Sequence, residues 1–426
     1  MANTRSALLL LPLLALLATA CAAPSAKKMT SAPAAVTEPL QTPSVLAEVP
    51  PEGGEPLPAD PPQQAPKPDQ SSSGTALRVV RVLLAEKQTS TTIKHSGRVY
   101  VYTNNVDKKY KISAAGALSV RAVSGGKIQV GSLQATQPII IEPTKNVLLT
   151  WNGNSYAGKI FIVPTQNTFS IVEHADLETY LYGVLPYEMS PSWPLEALKA
   201  QAVAARTYTL KTIESIKNRY FDVYSDVRSQ VYKGGGKQYD SVRQAVDETK
   251  NQVLMHNGKL FYTYYHGNCG GGTDDVRSWN ATVPALEPLS GASCAYDKHS
   301  KSYSWKTELP HTKIMEYAQQ EGLKGKLKNV KIAKKTKTGR ATQITLQTSK
   351  GSKNVVCNKF RLTLGLKSCK ITKITMLRNT VAVEGHGYGH GIGMCQDGAN
   401  GMAKANKDYR QILKNYYPGS KITTLK

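Results

Sequence analysis

The stretch from Tyr180 to Tyr208, YLYGVLPYEMSPSWPLEALKAQAVAARTY, constrains this chain more than any other. It divides into two parts with different physics. The first ends at Glu188, a single carboxylate among Leu185, Pro186, Tyr187 and Met189. Such neighbours desolvate the charged form and raise a carboxyl pKa, as a general acid requires. The second part is a helix starting near Ser192 to Pro194. Ser192 or Trp193 can cap it, and Pro194 is tolerated in a first turn because its missing N–H has no partner there. Leu195, Leu198, Ala202, Ala205 and Thr209 follow the helical period as one buried stripe. Ala197, Ala200 and Ala204 leave room on another face for a second backbone. With so few charges the helix is enclosed on most sides, so Gln201 and Arg206 need internal partners. The helix reads as the floor of a cleft, with Glu188 on its rim.

The rest of the chain supplies a frame for that stretch. From Leu77 onward, short β-type runs such as ALRVVRVLLA, GRVYVYT, PIIIEP and YAGKIFIVP are broken by Gly, Asn and Pro. They form a β-rich lobe over 77–170. A region over 171–309 follows, with a helix at about 175–184 that Asp176 can start, the long helix, a further helix over 242–251, and strands around VLMHNGKLFYTYYH. Tyr262, Tyr264 and Tyr265 in that last run suit sugar rings and suit ordinary strands equally. Residues 310–378 read as a basic accessory lobe: a helix, lysine-rich strands, then a short helix near Asn358–Leu364. Residues 379–426 hold a His/Gly run and a closing helix from Lys407 to Tyr417. The expected class is α+β, a β-rich N-terminal lobe with mixed lobes around a cleft. No period of 20–50 residues recurs, which disfavours a solenoid or propeller.

Charge and the N-terminus bear on surroundings. Lys and Arg number 54 against 30 Asp and Glu, a net charge of +24, which favours polyanionic surroundings. The lysines spread over 80–150 and 298–375 instead of forming an arginine-rich recognition helix, so no nucleic-acid partner is expected. Residues 1–20 carry Arg5 and then ALLLLPLLALLATA, of signal-peptide length and short for a bilayer span. Ala18-Thr19-Ala20-Cys21 resembles a bacterial lipoprotein cleavage box, although the usual Leu three residues before the Cys is absent. Cys21 would be acylated, anchoring an exported protein to a membrane. Residues 21–76, rich in Pro, Ala, Ser and Gln, cannot bury enough surface to order themselves and serve as a tether.

Two long motifs carry a family resemblance. EMSPSWPLEALKAQAVAARTYTL at 188–210 and GHGYGHGIGMCQDGANGMA at 385–403 resemble the signatures of the stage II sporulation protein D (SpoIID/LytB) family, as do SQVYKG at 229–234 and YYHGNCGGGT at 264–273 between them. The resemblance spans roughly 78–426. It implies lytic transglycosylation of peptidoglycan strands, particularly strands stripped of stem peptides, at the bond between N-acetylmuramic acid and N-acetylglucosamine. Glu188 matches the family's catalytic Glu. Hydrolysis of a glycan typically needs two carboxylates. Here one acid would protonate the glycosidic oxygen and then act as base while the sugar's own C6 hydroxyl attacks, giving a 1,6-anhydro end. Some members resemble amidase enhancers, so the rival expectation is a non-catalytic wall-binding partner of an N-acetylmuramoyl-L-alanine amidase.

Around Glu188 the candidate substrate-binding or supporting residues are Lys199, Gln201, Arg206, Gln230, His266, His386, His390 and Gln396. Lys199 and Arg206 orient Glu188, hold glycan, or pair internally. His386 and His390, set among alternating glycines, line the cleft or make structural hydrogen bonds; the glycines argue against a zinc-binding helix. Cys395 stands where the family usually has Ser, which puts a hydroxyl contact there in doubt. Five cysteines follow Cys21. The preferred pairing is Cys269 with Cys294 and Cys357 with Cys369, leaving Cys395 free, with Cys269–Cys395 as rival. Around His266, Cys269 and the glycines 270–272 the spacings C-x-x-C and H-x₃-H are missing, and the Cys/His ligands that some relatives carry before the SQVY-like segment are replaced by Asp222 to Ser229. No metal and no cofactor are expected.

Overall fold

The computed structural model describes residues 78–426 except 104–108, 217, 219, 237–238 and 280–281. The expected signal peptide, Cys21 and the tether lie outside the described residues. Among the described residues no helix is long and apolar enough to cross a membrane. The fold is α+β.

Alternation of apolar and polar residues builds the first lobe. In the strand Val79–Gln88, Val80 and Val82 are fully buried, while Arg81 between them turns to the other face and grips Asp222 (Nη2–Oδ1 2.6 Å). This strand lies in a seven-stranded sheet, between Val223–Tyr224 and Phe169–Asp176; Lys159–Pro164, Ile139–Pro143, Val99–Thr103 and Tyr110–Ile112 follow in that order. A six-stranded sheet runs from Asn154–Tyr156 through Leu149–Trp151, Ser90–His95, Gly116–Val123 and Lys127–Val130 to Leu133–Ala135. Ile160, Ile162 and Val82 of the first sheet share one core with Ile93, Val120 and Ile128 of the second. The apolar face of each covers the other.

The strand Phe169–Asp176 leads directly into helix α1 (Leu177–Glu188). Asp176 caps it as expected: Oδ1 accepts from the N–H groups of Glu178 (3.0 Å) and Thr179 (3.2 Å). The helix runs further than the sequence suggested, through Pro186 to Glu188. Helix α2 (Leu195–Ser215) begins at Pro194 with no side-chain cap. Ser192 does not cap it, because its hydroxyl is taken up by that of Ser190 (2.9 Å). Every residue from Ala200 to Leu210 is buried, enclosed by α1, α3 (Asp240–Glu248) and the strand Gln252–His256.

A second core gathers Trp305 and Leu309, Ile314 and Tyr317 of α4 (His311–Gln320), Ile344 and Leu346, Phe360 of α5 (Cys357–Leu364), and Val381 and Val383. It thus reaches beyond 310–378 on both sides, because the central strand Thr380–His386 pairs with Ser304–Pro310 on one edge and Ile371–Met376 on the other. Cys357 and Cys369 are joined by a disulfide within this core. Two last helices, α6 (Gln396–Lys404) and α7 (Tyr409–Tyr416), return the chain to α2. Asp408 and Gln411 form a full capping box on α7.

Candidate functional site

Glu188 ends α1, and the residue is 3% exposed. It is therefore enclosed and not on an open rim, which corrects the expectation from sequence. Oε1 accepts the Val231 N–H at 3.3 Å, so the SQVYKG segment closes over it. Oε2 is buried with no hydrogen-bond partner. Burial pushes the Glu188 pKa up to about 8, against the smaller opposing pull of the Val231 N–H and the Gln396 carboxamide. The Gln396 amide comes close enough to favour the charged form without giving Oε2 a well-formed bond. Three buried phenols, Tyr180, Tyr208 and Tyr265, feel the Glu188 charge and are themselves raised, chiefly by burial. At neutral pH this carboxyl is mostly protonated, the state a proton donor needs.

Gln396 adjoins it, and Gln201 is linked to it through Gln396. Gln396, the first residue of α6, donates to Gln201 Oε1 at 3.4 Å, while Gln201 Nε2 is buried without a partner. A buried acceptor and a buried donor left open in one neighbourhood are uncommon in a folded protein. They are the polar atoms that a bound group would satisfy.

Several other expected contributors have structural roles. Arg206 is fully buried and holds Glu178, not Glu188, through two bonds (3.0 and 2.6 Å), with further bonds to the carbonyls of Gln252 and Val246. Lys199 spans Glu196 (2.8 Å) and Glu248 (2.6 Å). Gln230 is buried, accepting from Tyr180 (3.2 Å) and Thr209 (2.7 Å) and donating to Tyr265 (2.8 Å). It positions the tyrosines around Glu188. A second fully buried glutamate, Glu173, escaped notice in the sequence; burial raises it to about 7, yet the Tyr232 hydroxyl (2.6 Å) and the Gly158 N–H (3.0 Å) occupy it.

The two histidines of the glycine-rich run have separate surroundings. His390 is buried, with Nε2 at 2.9 Å from the Tyr265 carbonyl and Nδ1 accepting from the Ile392 N–H at 3.1 Å. Those bonds fix a neutral ring, stacked on Trp279 at 4.9 Å; burial holds its pKa down at about 3. His266 lies 5.1 Å from it, fully buried and also kept neutral, with Nδ1 on the Ile392 carbonyl. His386 is half-buried and sits elsewhere, near Ser304 (3.2 Å) and Tyr303. Gly387, Gly389, Gly391 and Gly393 all have positive φ. At Gly393 (φ 67°) a Cβ would overlap the Tyr264 carbonyl, and at Gly391 it would overlap the Arg340 guanidinium. The alternation lets this run wind against the 264–274 segment, where Tyr265–His266 pairs in parallel with Met394–Cys395.

The expected Cys269–Cys294 disulfide does not form. Both thiols are free and buried, and they share their space with Cys395 and Asp297, whose carboxylate takes the Cys269 S–H at 3.0 Å. Sequence reasoning missed this grouping because it assembles from three separated segments.

A carboxyl raised by burial at the end of α1, closed over by the Val231 segment and set beside the first residue of α6, defines an α+β protein with a preformed acid site. The family model for Stage II sporulation protein matches residues 165–256, from the last strand of the β lobe through α1, α2 and α3. An uncharacterised protein of Brachyspira hyodysenteriae (strain ATCC 49526 / WA1) is 34% identical over 350 residues, 81% of this chain and 92% of that one. Stage II sporulation protein D of Bacillus subtilis (strain 168) is 30% identical, over 59% of this chain and 76% of its own length. The amidase enhancer of the same organism is 34% identical, over 57% of this chain and 40% of its length. The chain belongs to the SpoIID family.

Proposed function

We propose that this protein acts on peptidoglycan as a lytic transglycosylase, with Glu188 as acid and then base. The observation that carries the reading is the Glu188 carboxyl itself: raised to about 8 by burial, with Oε2 unpartnered. Protonated at neutral pH, it gives its proton to the glycosidic oxygen between N-acetylmuramic acid and N-acetylglucosamine. The resulting carboxylate then takes the proton of the sugar's C6 hydroxyl as that oxygen closes on the anomeric carbon, leaving a 1,6-anhydro end. A hydrolase would need a second carboxylate working with the first; Glu173, also raised by burial, is engaged by Tyr232 and Gly158, and the influences on Glu188 are burial, the Val231 N–H and the Gln396 amide, none of them a carboxylate. Gln201 and Gln396 supply polar contacts beside the acid; the net charge of +24 favours an anionic wall. The N-terminal run and Cys21 support export and lipid anchoring, which would hold the domain against its polymer.

A second reading has one observation in its favour. With Glu188 only 3% exposed, a sugar reaches it only if the Val231 segment moves. A protein that stayed closed would bind wall polymer and assist an amidase, consistent with the name of one relative. Purified glycan strands, with and without stem peptides, incubated with the full chain and with Glu188→Gln separate the two. Anhydro-ended fragments from the native chain alone support the enzyme. Fragments from neither, together with retained binding and a faster partner amidase, would overturn it.

A further inference from the structure

Three thiols and a carboxylate outside the acid site converge on one point. The Sγ atoms of Cys269, Cys294 and Cys395 and one oxygen of Asp297 all lie within 4.8 Å of one another, and all four residues are buried. A tetrahedral zinc ion with Zn–S bonds of about 2.3 Å sets its ligand atoms roughly 3.5–3.8 Å apart, so this cluster has the dimensions of a zinc cage. We propose that Cys269, Cys294, Cys395 and Asp297 bind a structural Zn²⁺, with the three thiol protons released to solvent on binding.

Four features of the surroundings favour a cation over a chance gathering of thiols. Asp297 Oδ1 is buried with no hydrogen-bond partner, while Oδ2 accepts the Gly271 N–H at 2.9 Å, which fixes the carboxylate. The N–H groups of Cys269 (3.2 Å) and Gly398 (3.3 Å) point at Cys395 Sγ, and Tyr416 OH lies 3.1 Å from Cys294 Sγ. Donors aimed at sulfur orient and stabilise a ligating thiolate. The number of thiols is odd, so disulfides could use only two, whereas a divalent cation uses all three and the carboxylate. Soft thiolates select zinc over magnesium or calcium, and burial of all four ligands leaves no open coordination position.

The consequence is mechanical. The ion would pin the 264–273 segment, the 294–297 loop and the start of α6 together. Cys395 is followed at once by Gln396, so the ion would fix the wall beside Glu188. This inference does not depend on the reaction assigned to Glu188.

The full chain, purified anaerobically without chelator or reductant, is analysed for metal and for cysteine linkage by peptide mapping. The expected result is about one zinc per chain, lost in Cys395→Ser and in Asp297→Asn but kept when Cys357 and Cys369 are both changed to Ser. Replacement of the zinc by Co²⁺ in the native chain should give thiolate-to-cobalt charge-transfer absorption and the intense visible bands of a tetrahedral site, a readout that needs no variant to fold. Metal-free native protein, a disulfide between any two of Cys269, Cys294 and Cys395, or a cobalt spectrum without thiolate ligation would each overturn the proposal.

Discussion

Replacing Glu188 by glutamine should stabilise the protein, and by an amount that grows with pH. Glutamine keeps the shape of the neutral acid and lets Oε1 go on accepting the Val231 N–H. In the native chain the carboxyl has a folded pKa of about 8 against an ordinary value of 4.5. A pKa raised by folding means the native state holds its proton more tightly than the unfolded chain. Its contribution is therefore complete below about pH 4.5 and is lost as pH climbs through 8. At 1.36 kcal/mol per unit, the loss is about 3 kcal/mol at pH 7 and about 5 kcal/mol above pH 9. The Glu188→Gln protein, with no proton to lose there, escapes it. Urea unfolding of both proteins at pH 4, 5.5, 7 and 9, followed by far-UV circular dichroism, gives the difference directly. The raised Glu173 titrates in both and cancels. A difference that stays flat from pH 4 to pH 9 would refute the reasoning, since it would mean that the carboxyl titrates normally and is not held as an acid by burial.

Other substitutions test the supports. Arg206→Met leaves Glu178 buried beside lost donors and should cost about 3–5 kcal/mol in denaturant unfolding, part of it recovered by adding Glu178→Gln. Gly393→Ala forces a Cβ onto a left-handed backbone and into the Tyr264 carbonyl; a loss of at least ~3 kcal/mol is expected in the same assay. Gln396→Leu removes a group that favours ionised Glu188, so the alkaline limb of anhydro-end release should move to higher pH. Lys199→Ala, which severs the ion pairs to Glu196 and Glu248 and a contact with the Tyr409 ring, should leave kcat/KM for that release unchanged.

How far the sequence revealed these features depends on whether the determining contacts are local. The enclosure of α2 was legible because a long run without charges has no exposed face, and the need of Arg206 for a buried partner followed from that enclosure. Which acid would serve was not legible: Glu178 is distant in sequence and arrives only because α1 packs on α2. Helix α6 was hidden by Gly398, Asn400 and Gly401, poor helix formers. Gly398 is there because Tyr416 and Cys294 leave no room for a Cβ, and Gly401 because Tyr296 does the same. Glu188 was placed in apolar company by its own neighbours, but its burial comes from Val231 and three tyrosines, two of them on other segments. The thiol cluster left no local trace, since no two of its cysteines stand at metal-ligand spacing.

The central claim is that the substrate supplies its own attacking oxygen to a bond broken by Glu188. Digestion of glycan strands in water enriched in ¹⁸O, followed by mass spectrometry of the new N-acetylmuramic acid ends, tests it most directly. The expected products are anhydro ends that carry no heavy oxygen and that vanish with Glu188→Gln. Reducing ends labelled with ¹⁸O would contradict it, because water would then have done what the C6 hydroxyl is held to do.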